Sequence, residues 1–243
     1  MPDSSRHPSI EYDGFSKHFG RIRAVEGITF SVAPGPIVGF LGPNGAGKTT
    51  ALRGILGLLR PTRGSATALG KPLEAPENRG LVVGAHLDGI GFETGITASR
   101  HLKIACLALG QPRSRVDEVL REVDLAALAR RRVKTFSTGM VQRLGLATAL
   151  LGSRPIFVVD EPGNGLDPED LRWLKQNLRT FADEGGTVLV SSHQLADFSS
   201  IVDELVIMKR TVLYAGTHES LVGADNATLE EKYFELTDPF AAQ

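Results

Sequence analysis

The sequence predicts an α/β fold in which a parallel-sheet core carries an N-terminal antiparallel β-subdomain and an inserted α-helical subdomain. Three observations predict it. Runs of Val, Ile, Leu and Phe ending in polar residues, in SRPIFVVDEP and GGTVLVSSH, have the pattern of strands buried on both faces of a parallel sheet. In PGPIVGFLGPNGAGKTTALRGILGLL, a short apolar strand runs through a glycine-rich turn into a helix, the local grammar of a phosphate-binding unit. From about Thr97 to Leu151 the spacing is helical throughout, with no strand pattern.

Taken in order, the polar start MPDSSRHPS is expected to be disordered. IEYDGFSKHFGRIRAVEGITFSV alternates β-branched and aromatic residues between glycines, as an antiparallel strand cluster does. After the glycine-rich unit comes the helical insertion, built from TASRHLKIACLALG, SRVDEVLREVDLAALAR and the segment after Gly139. Between the two later strands, PEDLRWLKQNLRTFADEGG opens with Pro168 and closes with a glycine pair, which punctuate a helix. Its lone Trp173 sits among Leu171, Leu174, Leu178 and Phe181 and reads as packing. The tail from about Gly223 includes LEEKYFELT, a short surface helix. This gives one domain over 1–223, with core and β-subdomain over about 10–87 and 152–222, the helical subdomain over about 88–151, and a tail over 224–243.

Composition removes several classes of function. Twenty-seven basic and 28 acidic residues give a formal net charge of −1, so no basic field points to nucleic acid; the dense cluster Arg130-Arg131-Arg132 reads as a solvated patch. The single cysteine, Cys106, lies in an apolar run and reads as a small hydrophobe in a reducing compartment. No run approaches 18 apolar residues and the N-terminus has no apolar signal core, so neither a membrane span nor secretion is expected. If the chain works at a membrane, another protein holds it there.

Gly42-Pro43-Asn44-Gly45-Ala46-Gly47-Lys48-Thr49 matches the P-loop pattern at every fixed position, and Thr50 follows it. Its backbone N–H groups and the helix starting near Gly47 suit phosphate oxygens, Lys48 suits the β- and γ-phosphates, and the Thr49 hydroxyl suits Mg²⁺. A nucleoside triphosphate with Mg²⁺ is therefore the expected ligand. At the end of PIFVVDE, Asp160 is placed for the metal shell and Glu161 for orienting or polarising the attacking water. His193 ends the next apolar strand, at the carboxyl edge of the sheet where ligands of open α/β folds collect, and is expected to contact the γ-phosphate and the catalytic carboxylate.

These pieces, in this order over nearly the whole chain, resemble the ATP-binding cassette family of transporter ATPases, with a P-loop NTPase core. Where that family has its Leu-Ser-Gly-Gly-Gln signature, this chain has Phe136-Ser137-Thr138-Gly139-Met140, followed by VQRLGLATALL. The resemblance implies that Ser137 and Gly139 offer donors to the γ-phosphate held by the opposite subunit, and that Asn164-Gly165-Leu166-Asp167 crosses the dimer interface. It also implies that Phe19 stacks on adenine. Thr138 and Met140 depart from the family pattern beside the donors, so competence with altered fine-tuning is expected.

A second departure lies in VVGAHLDGIGFETGIT. Where most members carry a glutamine that senses metal, water and the transmembrane partner, counting places Asp88, with His86 or no residue in the role as the other reading. This acidic position and the S-x-G-M-x-Q-R-L-G signature are similar to the subgroup that serves drug, bacitracin-type and lantibiotic-type exporters. The resemblance thus implies an ATP-hydrolysing transporter subunit, cytoplasmic and peripheral at the inner face of the membrane through a separate permease. Two copies, or a pair of cassettes, would close on ATP. A soluble cassette ATPase acting as an assembly factor, or a regulatory module that binds nucleotide without turnover, stays open as a rival.

Overall fold

The computed structural model describes residues 8–73, 82–89, 91–152, 154–223 and 228–238, so residues 1–7 of the polar start and the end of the tail lie outside the described residues, while Ser9, expected in the disordered start, is buried at 2% exposure against Thr187. Two sheets organise the molecule. The first is antiparallel, in the order β2-β1-β4, made of β1 (Ile10–Phe19), β2 (Ile22–Val32) and β4 (Arg63–Ala68). The second has the order β5-β6-β7-β3-β8-β9, from β3 (Ile37–Leu41), β5 (Val83–His86), β6 (Ile156–Asp160), β7 (Thr187–Ser192), β8 (Glu204–Lys209) and β9 (Thr211–Thr217). Its neighbours pair in parallel except β8 with β9, an antiparallel edge hairpin not singled out in the sequence. The α/β expectation with an antiparallel β-subdomain therefore holds.

Burial explains the sequence pattern. β3, β6 and β7 are buried at every position, which is why their sequences are built around apolar runs. One core cluster fills the space between the two sheets around helix α1 (Lys48–Ile55), with Tyr12, Phe15, Phe30 and Phe40 at its centre. A second lies on the opposite face of the parallel sheet, under the inserted helices α2 (Ala98–Ala108), α3 (Ser114–Glu122) and α4 (Thr138–Leu150) and under helix α5 (Pro168–Asp183). Cys106 is 1% exposed in that cluster, in agreement with its reading as a small hydrophobe, and Trp173 packs against the same cluster.

The short helix α6 (Leu195–Phe198) follows β7, and α7 (His218–Val222) follows β9. The tail helix α8 (Leu229–Thr237) begins with a capping box at Thr228 and Glu231. It does more than lie on the surface: Leu229 and Tyr233 close a third apolar cluster with Leu41, Leu205 and Ile207. The 3₁₀ turns Ala126–Leu128 and Val133–Thr135 carry the chain from α3 to the start of α4.

Candidate functional site

The carboxyl ends of β3, β6 and β7 converge, because these strands are adjacent and parallel. β3 stops at Leu41 and the chain turns through residues 42–47 into α1. Gly47, the residue before α1, has φ 98°, a conformation closed to most side chains, and a Cβ there would stand 2.5 Å from the Ala24 carbonyl. Lys48 opens α1 and its side chain is 6% exposed; Nζ donates to the Gly42 carbonyl at 2.7 Å and lies 3.2 Å from Glu161 Oε1. Next to it, Thr49 Oγ1 donates to Asp160 Oδ2 at 2.9 Å.

Asp160 ends β6 at 1% exposure, and Ser191 Oγ donates to its other carboxylate oxygen at 2.5 Å. Glu161 follows with φ 49°, a left-handed conformation that costs a side-chain-bearing residue on the order of 1–3 kcal/mol. The neighbouring strand holds it there, since the Glu161 N–H meets Ser191 Oγ at 3.0 Å and the Ser191 carbonyl at 3.2 Å. This turn aims the carboxylate back over the P-loop. Oε1 faces Lys48, and Oε2 lies 2.7 Å from His193 Nδ1 and accepts from the His193 N–H at 3.2 Å. Burial pushes the Glu161 carboxyl up, but the hydrogen bond from His193 and the Lys48 charge outweigh it and hold it below its ordinary range. The side chain is thus an anion between two donors.

Around these groups lies a cleft of about 560 Å³ whose walls include Phe19, Lys48, Thr49, Glu161, Asn164 and His193. Phe19 is 51% exposed at its rim, with Lys17 Nζ 5.1 Å from the ring centroid. Asp88 is exposed and lines the same cleft. His86 does not share that wall: its Nε2 lies 2.5 Å from Gln142 Oε1 on α4. Burial lowers the His86 pKa against the smaller opposing effects of the Gln142 bond, Asp88 and Asp160.

Ser137 and Gly139 lie elsewhere. Ser137 caps α4, its hydroxyl accepting from the Met140 N–H at 3.3 Å, while the Met140 sulfur accepts from the Ser137 N–H at 3.4 Å. Met140 thereby closes the capping box with a thioether in place of the family's carboxamide. Ser137 and Met140 line a separate recess of about 290 Å³ together with Asp124, Arg143, Asp167 and Asp170. Asp167 caps α5 by accepting from the Asp170 N–H at 2.8 Å.

A match to the family model described as ABC transporter spans residues 25–164. The chain belongs to the ABC transporter family. It is 36% identical over 202 residues to the bacitracin transport ATP-binding protein of Bacillus licheniformis, covering 82% of this chain and 66% of that one. To the lantibiotic transport ATP-binding protein of Streptococcus pyogenes it is 30% identical over 194 residues, 80% of this chain and 84% of that one. A solved ATP-binding subunit of an ABC transporter superposes with a TM-score of 0.85 at 30% identity, covering 93% of this chain and 98% of the other. The cassette is accordingly a transporter-type ATP-binding subunit and an ATPase.

The residues present fit the ligands of such a cassette. A Cβ on Gly42 would meet the Met208 carbonyl at 2.3 Å, so the P-loop lies as close to β8 as a bare backbone allows and leaves the room on its other side. The Thr49 hydroxyl and the Asp160 carboxylate, 2.9 Å apart, are hard oxygen donors suited to Mg²⁺. Among the described residues no group of three or more His, Cys, Asp or Glu could hold a metal ion.

Two groups of the cassette were not read from the sequence. Ser191 holds both Asp160 and Glu161, and its only signal was a polar residue where an apolar strand meets the carboxyl edge. Arg143 donates to Asp170 at 3.0 Å and to Asp124 at 3.3 Å, with its guanidinium carbon 4.2 Å from the Trp173 ring centroid, while the Trp173 indole N–H donates to Asp124 at 3.0 Å. This cluster fixes α4 against α5. Residues drawn from three separate segments of the chain, at 124, 143 and 170–173, gave no local pattern.

Proposed function

We propose that the chain is the ATP-hydrolysing subunit of an exporter of drugs or antimicrobial peptides, driving a permease carried on a separate chain. The relatives named for bacitracin and lantibiotic transport support the exporter reading. Among the described residues no helix is long and apolar enough to cross a membrane, so the translocation path falls to the partner. The cassette then works in the cytoplasm, held to the inner face of the membrane by that permease through its helical insertion and the loop at Asp88, with no nucleic-acid partner.

The observation that carries the mechanism is the placement of Glu161 between Lys48 and His193, with Ser137 and Gly139 outside that cleft. The P-loop residues 42–50 bind the phosphates and Phe19 takes the base. Lys48 exchanges its Glu161 contact for the γ-phosphate, which frees the Glu161 carboxylate to accept a proton from water. His193 keeps that carboxylate oriented and contacts the γ-phosphate. Thr49 and Asp160 would hold Mg²⁺, with Asp88 lining the same cleft, and the ion would neutralise phosphate charge. Ser137 and Gly139 present a helix N-terminus to the triphosphate of a second copy. Closure of the two copies on ATP, and release after hydrolysis, turns chemistry into motion of the permease.

Mixing two inactive variants tests this reading. Ser137→Arg keeps its own P-loop and Lys48→Ala keeps its own signature, so a mixed dimer contains one complete composite site. Turnover regained on mixing supports sites shared between chains. No recovery, with ATP still bound by Ser137→Arg, contradicts it.

A further inference from the structure

His86 is the last residue of β5, two residues before Asp88. Its ring lies against α4 rather than in the cleft. Nε2 is 2.5 Å from Gln142 Oε1, and a Cβ on Gly145 would come within 2.4 Å of the ring, so the imidazole fills a notch that only glycine leaves open. The same strand and helix also touch at Gly84, where a Cβ would stand 2.7 Å from the Ala149 carbonyl. β5 and α4 are thus in contact along two helical turns, and His86 supplies the polar link.

Gln142 lies five residues beyond Ser137, about 7.5 Å along the helix axis. A rigid helix carries a shift at Gln142 directly to its N-terminus. From the other end, a shift at Asp88 reaches His86 through Leu87, which is 2% exposed and packed in the core between the sheets. An imidazole held by Gln142 and seated on Gly145 has little freedom to absorb such a shift.

We propose that His86 is a positioning residue: through its hydrogen bond to Gln142 and its seat on Gly145 it ties the loop at Asp88 to the signature helix, so that the cleft and the Ser137 terminus are set together. The inference rests on the proposed composite site. His86 touches no reacting atom. Its effect is to place the donors offered to the second copy in register with the occupancy of its own cleft. A leucine in its place fills the notch but leaves the Gln142 carbonyl without its donor, whereas a glutamine returns an N–H near the position of Nε2.

The test uses the full chain and four variants: His86→Leu, His86→Gln, Gln142→Leu and the double His86→Leu/Gln142→Leu. Turnover is measured against ATP concentration and MgADP affinity by equilibrium titration. His86→Leu and Gln142→Leu should each lower kcat about tenfold while MgADP affinity stays within about threefold, and the double variant should fall no further than the worse single. His86→Gln should recover most of kcat. In a Glu161→Gln background, adding His86→Leu should raise the ATP concentration for half-maximal dimer by about tenfold. Additive losses in the double variant, unchanged kcat in His86→Leu, or MgADP affinity falling in step with turnover would each overturn the inference. If Glu161→Gln alone forms no dimer, the composite-site reading fails, and the kcat comparison still decides whether residues 86 and 142 act as one.

Discussion

Lys48 Nζ stands 3.2 Å from Glu161 Oε1, and the two side chains are 6% and 13% exposed. The cation suited to phosphate is therefore paired with the carboxylate suited to water. Such a pair is weakly screened, and replacing it by a phosphate contact exchanges one buried anion for another.

The pairing gives the first prediction, in pH. Because the folded-state pKa of Glu161 is lowered, its ionised form favours the folded protein above the ordinary glutamate range near pH 4.3, and that contribution is lost as pH falls through the lowered value. Lys48→Met removes one of the groups that lower it, so unfolding free energy should fall less steeply with acid in that window than in the natural chain. Denaturant melts at a series of pH values measure the slopes; equal slopes would mean that the pair contributes nothing.

A second prediction concerns the floor under the signature. A Cβ on Gly139 would lie 1.8 Å from Asp170 Oδ2, and Asp170 is held by Arg143. Gly139→Ala should cost about 1–3 kcal/mol of stability by overpacking. Asp170→Gly, which vacates the space, should restore part of that loss in the double variant. A double variant with simply summed losses would show that the two residues do not meet in this way.

Ser137 separates a structural from a functional role. As the cap of α4, Ser137→Ala should lower stability by about 0.5–2 kcal/mol, and Ser137→Arg should leave binding of ATP to the single chain within about twofold while stopping turnover. ATP titration and phosphate release are the two readouts. Undiminished phosphate release in Ser137→Arg would remove the signature from the account.

At Asp88 the expected outcome is a difference between two replacements. Asp88 is exposed and lines the cleft, where an arriving ligand would meet it. Asp88→Gln should retain hydrolysis to within about tenfold, and Asp88→Ala should lose more, with transport falling in step with hydrolysis in each variant. Identical, natural-level activity in both variants would take Asp88 out of the site.

Local pattern explains what was legible in the sequence. The turn from Gly42 to Thr49 is a fixed string, and the strands leading to Asp160 and His193 carry apolar runs because both faces of the sheet are covered. The insertion was legible because helical spacing needs no distant partner. The edge hairpin β8–β9 was missed because β9 alternates between half-buried and exposed positions and carries a weak signal. The left-handed turn at Glu161 was not legible either, since it is imposed by Ser191 on another strand. The placement of Asp88 and His86 also needed the fold: the His86 ring lies against α4 in the Gly145 notch, while Asp88 lines the cleft.

The central claim, that two copies close on ATP and that Glu161 opens them by activating water, is tested most directly with Glu161→Gln. The amide keeps the size of the side chain and removes the base. With ATP and Mg²⁺, the account predicts unimpaired nucleotide binding, turnover lowered by about 10²-fold or more, and a stable dimer by size-exclusion chromatography with light scattering. A variant that binds ATP yet remains a single copy, both alone and with its permease, would contradict it.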